Sequence, residues 1–347
     1  MPPEETGIAL HSVTDMKQAR PGVGEAILRS LAVFTAVLSG TAVSAQTAIN
    51  GTLATETGSA LATAVISNTV GGLIFVTAAL ASARVRSGIR RLFRNPMRWW
   101  SYIGGVFGAV LVFAASVTAP LIGVALFSIG LVCGIAVGGL VNDTLGIGPL
   151  GRLRPGPMRL LGAGLAVAAV VLAQSGGGLL TGLWFLVVFA FAAGVGNSFQ
   201  TSLNGRVNLV SRNVFSTGLV NFVVGTGLLY LVAAPFAATA DWSRFDLPGR
   251  WWLYLGGPCG ALVVVCVVFA STRLDVLGVS LANLAGQLGG AIVLDIGITG
   301  TLPSWQIASG SALAAAAAAL VALAGRTRRS ARLHDGEPAL TAPAEHR

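Results

Sequence analysis

The sequence predicts an all-α integral membrane protein of ten transmembrane helices, arranged as two inverted five-helix repeats. Three observations predict it: the scarcity and clumping of charge, the distribution of arginines, and an internal repeat. Of 347 residues, 54% are hydrophobic and only 10% charged, with a mean hydropathy of +0.78. A soluble domain carries roughly 25% charged residues to keep its surface hydrated. No Asp, Glu, Lys or Arg occurs in Ser30–Thr55, Thr57–Ala83, Trp99–Asn142, Leu160–Gly205, Val214–Ala240, Trp251–Thr272, Val276–Leu294 or Ile296–Gly325. A hydrocarbon core takes about 20 apolar residues per helix, so the two longest runs hold two helices each. Unbroken apolar runs, not short alternating ones, decide for helices over a barrel.

Taken in order, the helices of the first half are expected at 27–50, 60–82, 99–117, 120–141 and 159–174. Those of the second are expected at 179–204, 213–235, 251–271, 276–295 and 303–325. The fifth is short and ends at Ser175-Gly176-Gly177-Gly178. Domain boundaries follow: 1–26 as a disordered tail, 27–174 and 175–325 as the two repeats, and 326–347 as a disordered basic tail. Val43-Ser44-Ala45 resembles a small-residue cleavage site, but the residues after it belong to the repeat, so 27–50 is read as a span.

The chain has a net charge of +9, and its basic residues are arginines apart from Lys17. They flank apolar segments and read as topology signals, not as a nucleic-acid groove, which needs a soluble face to present it. Arg84, Arg86, Arg90, Arg91, Arg94, Arg98, Arg152, Arg154, Arg159, Arg206, Arg212, Arg273 and the C-terminal cluster fall on one side. Arg244 and Arg250, balanced by Asp241 and Asp246, fall on the other. This predicts both termini in the cytoplasm. Arg over Lys, with abundant Ala and Gly, suggests a GC-rich bacterial genome and hence the plasma (inner) membrane.

Residues 39–80 and 193–234 align without gaps. Gly40, Ser44, Gln46, Thr47, Asn50, Gly51, Thr63, Val70 and Gly71 match Gly194, Ser198, Gln200, Thr201, Asn204, Gly205, Thr217, Val224 and Gly225. Trp99-Trp100-Ser101-Tyr102-Ile103-Gly104-Gly105 matches Trp251-Trp252-Leu253-Tyr254-Leu255-Gly256-Gly257, and Gly134, Gly138 and Asp143 match Gly286, Gly290 and Asp295. Five helices is an odd number, so the second half enters the membrane from the opposite side. Inverted repeats of this kind characterise secondary transporters, whose two halves exchange inward-open and outward-open shapes.

The paired segments Gln46-Thr47-Ala48-Ile49-Asn50-Gly51 and Gln200-Thr201-Ser202-Leu203-Asn204-Gly205, each followed by a Gly-containing helix, resemble the YdcZ-like family of inner-membrane exporters. That family lies within the drug/metabolite transporter (DMT) superfamily. The resemblance covers nearly the whole chain outside the tails and implies a DMT/EamA-like ten-helix fold and a transport role in efflux, without a named substrate. Gly286-Gln287 resembles the family's pattern in its helix, while Gly134-Ile135 in the first half departs from it.

The function expected is therefore a secondary transporter moving a small metabolite or drug across the bacterial plasma membrane by alternating access. A channel or lipid-type flippase of the same fold, or a non-transporting structural or sensing membrane protein, are the alternatives. Candidate substrate-binding or gating residues are the amides Gln46, Asn50, Asn197, Gln200, Asn204, Asn221 and Gln287, with Asn68 and Asn283 beside them. Gln46 and Asn50 share one helix face, as do Asn197, Gln200 and Asn204. Amides in a membrane helix point at protein or water, and their competing role is interhelical hydrogen bonding at about 0.6–2 kcal/mol each. Asp143 and Asp295, at equivalent span ends, are the candidate coupling sites. Gly134-x-x-x-Gly138 and Gly286-x-x-x-Gly290 read as close-packing patterns.

No catalytic residues are assigned. All three histidines (His11, His334, His346) lie in the tails and no phosphate-binding loop occurs, which argues against an enzyme. Cys133, Cys259 and Cys266 read as apolar packers, not as metal ligands or a disulfide framework. Neither a cofactor nor a metal is called for. The partners expected are the lipid bilayer and a small-molecule substrate; nucleic acid is not among them, and a homodimer is left open.

Overall fold

The computed structural model describes residues 23–147, 156–175, 182–239, 247–271 and 276–334. Among these residues there are eleven α-helices and no strand: α1 (Val23–Thr57), α2 (Ala60–Ala81), α3 (Ala83–Arg94), α4 (Gly104–Ile122), α5 (Val124–Leu145), α6 (Pro157–Gln174), α7 (Trp184–Ser211), α8 (Val214–Thr239), α9 (Gly256–Ser271), α10 (Val276–Thr299) and α11 (Trp305–His334). Short 3-10 turns at Trp99–Tyr102 and Trp251–Leu255 lead into α4 and α9. Seven helices are long and apolar enough to cross a membrane, and the apolar parts of α6, α9 and α11 are shorter. Of the ten spans expected, seven fall on helices long and apolar enough to cross a membrane, and the other three fall on shorter apolar helices.

The departures from the expected boundaries have local causes. Residues 83–98 were expected to be a loop, and α3 occupies most of them. Val85, Gly88 and Leu92 are buried on one face, while Arg84, Arg90 and Phe93 stay outside. That is the three-to-four-residue period of an amphipathic surface helix, not of a span. The helices expected to stop at 50 and 204 each continue seven residues further, to Thr57 and Ser211. They then turn in the same way: Gly58 and Arg212 take positive φ of 64° and 51°. Ser59 and Asn213 cap the next helix, by Ser59 Oγ accepting from Ala62 N and Asn213 Oδ1 from Ser216 N. α11 runs to His334 where a disordered tail was expected from 326; the arginines, Ala331 and Leu333 there favour helix. The rest of both tails, Arg152, Arg154, Asp241, Arg244, Asp246, Arg273 and the 176–178 glycines lie outside the described residues.

Helix directions follow from the contacts. α4 lies along α1 in the same sense, with Val43 near Leu111 and Gly51 against Ala119 and Pro120. The same α4 runs opposite to α7, with Gly104 beside Asn204 and Gly108 beside Gln200. α7 therefore opposes α1, and the second half starts in the sense opposite to the first. The packing has the same two-fold logic throughout. α1 packs on α10 and α9 as α7 packs on α5 and α4, while α2 meets α8 and α6 meets α11 across the axis.

Glycines allow the closest of these approaches. A methyl at Gly194 would meet the carbonyl of Leu131, and one at Gly134 the carbonyl of Phe191. In the other half Gly40 faces the carbonyl of Asn283 and Gly286 that of Val37. The small-xxx-small patterns are thus helix-packing surfaces, as their spacing predicts. Phe34, Leu73, Leu80, Val171, Leu231, Phe236 and Val293 point outward, an apolar belt that suits lipid and not water.

Candidate functional site

The amide faces form two equivalent sites near opposite ends of the bundle, and these sites are finished differently. In the second half, Asn221 Oδ1 accepts from Gln200 Nε2 at 3.1 Å and from Asn204 Nδ2 at 3.1 Å. Two glycines of α4 leave space for the donors: Gly104 lies against Asn204 Oδ1 and Gly108 against Gln200 Nε2. These glycines begin where the Trp-Trp-x-Tyr-x-Gly-Gly segment ends. Trp99 and Trp251, which begin the two segments, are exposed, as suits indole rings at a membrane interface. The first glycine of the segment also seats an amide.

In the first half the seat is repeated. Asn50 lies against Gly256 and Gln46 against Gly260. What differs is the third member, because the position of Asn221 is held by Ser67. Its hydroxyl is too short to bridge. Asn50 is fully buried, and among the described residues neither Asn50 Nδ2, Asn50 Oδ1 nor Ser67 Oγ has a hydrogen-bond partner. A buried amide without partners costs about 1–3 kcal/mol in proteins. Asn50 and Gln46 also line a recess of about 10 Å³, room for about one water, together with Val43, Thr47, Leu111, Val112 and Ala115.

The second-half end carries a further tie. Arg206, two residues beyond Asn204, donates from Nε to the carbonyl of Ile147 at 2.5 Å and from Nη2 to that of Gly146 at 2.8 Å. Its guanidinium also lies 4.8 Å from the Trp100 ring centre, within cation–π range. These contacts fasten α7 to the C-terminal end of α5, where carbonyls lack helical partners. Arg91 of α3 adds a bond to the carbonyl of Ser211 at 3.1 Å. The residue equivalent to Arg206 in the first half is Thr52, whose hydroxyl only returns to the carbonyl of Ala48.

The remaining candidates are dispersed. Asn197 is half-buried and, among the described residues, makes no side-chain hydrogen bond to the triad. Gln287 is buried between α10 and α1, where its carbonyl accepts from Ser44 Oγ at 2.6 Å, and it lines no part of the recess. Asn283 donates to Ser39 Oγ at 2.6 Å, and Asn68 to the carbonyl of Ala64 within its own helix. Asp295 accepts from the backbone N–H of Val124 and Ala125 at 2.8 and 2.7 Å. It therefore caps α5, where helix-end partial charge favours an anion. Asp143 is ion-paired with Arg159. Both acids have partners that account for their positions in the fold. Sequence reading missed Ser67 and Arg206. The ungapped repeat puts Ser67 opposite Asn221, and that mismatch was the available signal for it; Arg206 was read as a loop charge.

A helical bundle of two oppositely directed repeats, apolar outside and with amide sites near its two ends, defines a multi-pass membrane protein of the transporter class. The family model described as "Putative inner membrane exporter, YdcZ" matches the chain twice, over residues 31–172 and 185–325. The chain belongs to this DMT family, and its two matches coincide with the two repeats. A solved structure titled "Crystal structure of protein" is similar in fold, with a TM-score of 0.54 at 20% identity over 86% of this chain and 98% of its own. No curated protein matches the chain.

Proposed function

We propose that the chain is a secondary carrier that exports a small solute across the inner membrane by alternating access, with its two amide sites acting as the inner and outer gates. Family membership supports export across the inner membrane. The observation that carries the gating reading is the asymmetry of the sites: one amide triad is closed on itself and latched by Arg206, while its counterpart opens on a recess. A carrier needs one end shut while the other is reachable. With both termini in the cytoplasm, as the arginine distribution predicts, the shut end faces inward and this conformation is outward-facing.

The test is counterflow in proteoliposomes loaded with a metabolite and drug mixture. A carrier exchanges solute saturably, and external substrate accelerates release of internal substrate. Linear, non-stimulated flux would instead establish a channel. Gln46→Ala and Gln200→Ala should each lower exchange at least tenfold if both amide faces gate the pathway; unchanged exchange in both would reduce them to helix packing.

A further inference from the structure

We propose that α3 is a binding surface for anionic phospholipids, with its exposed arginines taking the lipid phosphates. The helix begins one residue after α2, which is apolar and long enough to cross a membrane. The joint between them, Ser82, is extended at φ −116° and ψ 117°, so the chain turns off the span's axis where the apolar run ends and the charges begin. One side of α3 is committed to the fold. Val85, Gly88 and Leu92 are buried, the carbonyl of Val85 accepts from Ser216 Oγ at 2.8 Å, and Arg91 reaches Ser211. Arg86 donates to the carbonyls of Ala79 and Leu80 at 3.2 and 2.6 Å, at the end of α2 where carbonyls lack helical partners. The other side is uncommitted. Arg86, Arg90 and Arg94 recur every four residues along it. Arg84, Arg90, Arg94 and Arg98 are exposed and, among the described residues, have no hydrogen-bond or ion-pair partner. No Asp or Glu occurs between Glu56 and Asp143, and Asp143 is already paired with Arg159.

Unpaired arginines four residues apart on a helix repel one another, and a guanidinium fork matches the oxygens of a phosphate. The neighbouring side chains select the source of that phosphate. Phe93 and Trp99 are 83% and 76% exposed, and Leu80 in the last turn of α2 is exposed as well. Aromatic and apolar groups beside arginines suit the headgroup and upper acyl region of a leaflet. Free phosphate would use the arginines and leave Phe93 and Trp99 in water, whereas an anionic phospholipid covers both. A zwitterionic lipid brings its own cation against the arginines. A topology signal needs only positive charge in any arrangement; here the charge lies on one side of a docked helix with an aromatic group beside it. Residues 240–250, the corresponding stretch of the second half, balance Arg244 and Arg250 with Asp241 and Asp246, so the sequence offers no matching excess of charge there.

The experiment titrates phosphatidylglycerol, phosphatidylcholine and inorganic phosphate into the full-length protein in a neutral detergent. Bound lipid is counted by native mass spectrometry and thermal unfolding is read alongside, since binding to the folded state raises the melting temperature. Phosphatidylglycerol should bind about tenfold tighter than phosphatidylcholine, and the difference should shrink in high salt. Arg90→Gln combined with Arg94→Gln should lose about tenfold in phosphatidylglycerol affinity. The basal melting temperature of that variant should match the parent's, because neither side chain has a partner in the fold. Lysine at both positions should restore most of the binding. Should the double glutamine variant fail to fold, Phe93→Ser should weaken phosphatidylglycerol several-fold. Equal binding of phosphatidylcholine, or full phosphatidylglycerol binding in folded Arg90→Gln/Arg94→Gln or in Phe93→Ser, would overturn the proposal. So would inorganic phosphate raising the melting temperature as far as phosphatidylglycerol does, which would make α3 a site for free anions.

Discussion

Asn204 and Asn50 occupy equivalent positions in the two repeats, each against the first glycine of a Trp-Trp-x-Tyr-x-Gly-Gly segment, yet only Asn204 finds a partner. The scaffold around them is the same at both ends. Helix-to-helix carbonyl approaches at Gly40 and Gly194, and at Gly134 and Gly286, recur pair by pair. So do the turns at Gly58 and Arg212, with the hydroxyl pairs Thr57–Thr63 and Ser211–Thr217 behind them. The difference between the ends comes from single side chains: Asn221 against Ser67, and Arg206 against Thr52. Backbone packing thus makes the halves interchangeable in shape, while a few polar residues decide which end is closed. On the carrier reading proposed above, those residues set the balance between the two conformations.

The largest effect should come from the shared scaffold. Gly40→Ala and Gly194→Ala each push a methyl into a facing carbonyl, and overpacking of this kind costs about 1–3 kcal/mol. Thermal unfolding in detergent should show nearly equal losses at the two ends; a loss at one end only would mean that the symmetry does not extend to the energetics.

The polar residues should behave in the opposite manner. Asn221→Ala removes the acceptor shared by Gln200 and Asn204, at a cost of about 1–2 kcal/mol for part-buried donors left unpaired. Ser67→Ala at the equivalent position removes a hydroxyl with no partner and should change the same melting curve by less than about 0.5 kcal/mol. Equal effects would mean that Ser67 is engaged after all.

Arg206→Gln should have the smallest effect on stability, about 1 kcal/mol, because the side chain is only part-buried. Its effect should instead be on the equilibrium. A cysteine placed at Asn197 in a background lacking Cys133, Cys259 and Cys266 should react several-fold faster with a water-soluble maleimide once Arg206 is Gln. The matching change Thr52→Ala should leave labelling of a cysteine at Val43 as it was. No difference between the two ends would remove Arg206 as a latch.

Much of this was legible before the structure. Runs without charge placed the spans, because lipid tolerates so few unpaired polar groups that composition alone marks the helices. The gapless repeat paired Gln46 with Gln200 and Asn50 with Asn204, and so named both amide faces. Less was legible at the helix ends. Arg206 was read as a loop charge, yet it lies inside α7. Arg206 finds carbonyls and an indole within reach, and no local sequence rule anticipates partners 59, 60 or 106 residues away. α3 was hidden by its arginines, although Val85, Gly88 and Leu92 keep the helical period.

The membrane class, the two repeats, the opposite sense of the halves and the family all depend on patterns that run along the chain, so they could be read without coordinates. The tertiary structure alone decided which amides meet. Asn221 joined Gln200 and Asn204, Gln287 turned to the α1–α10 interface, and Asn50 was left facing the recess. Hydrogen bonds between side chains on different helices depend on crossing distance and rotation about each helix axis, and in this bundle glycines set those distances by close backbone contact.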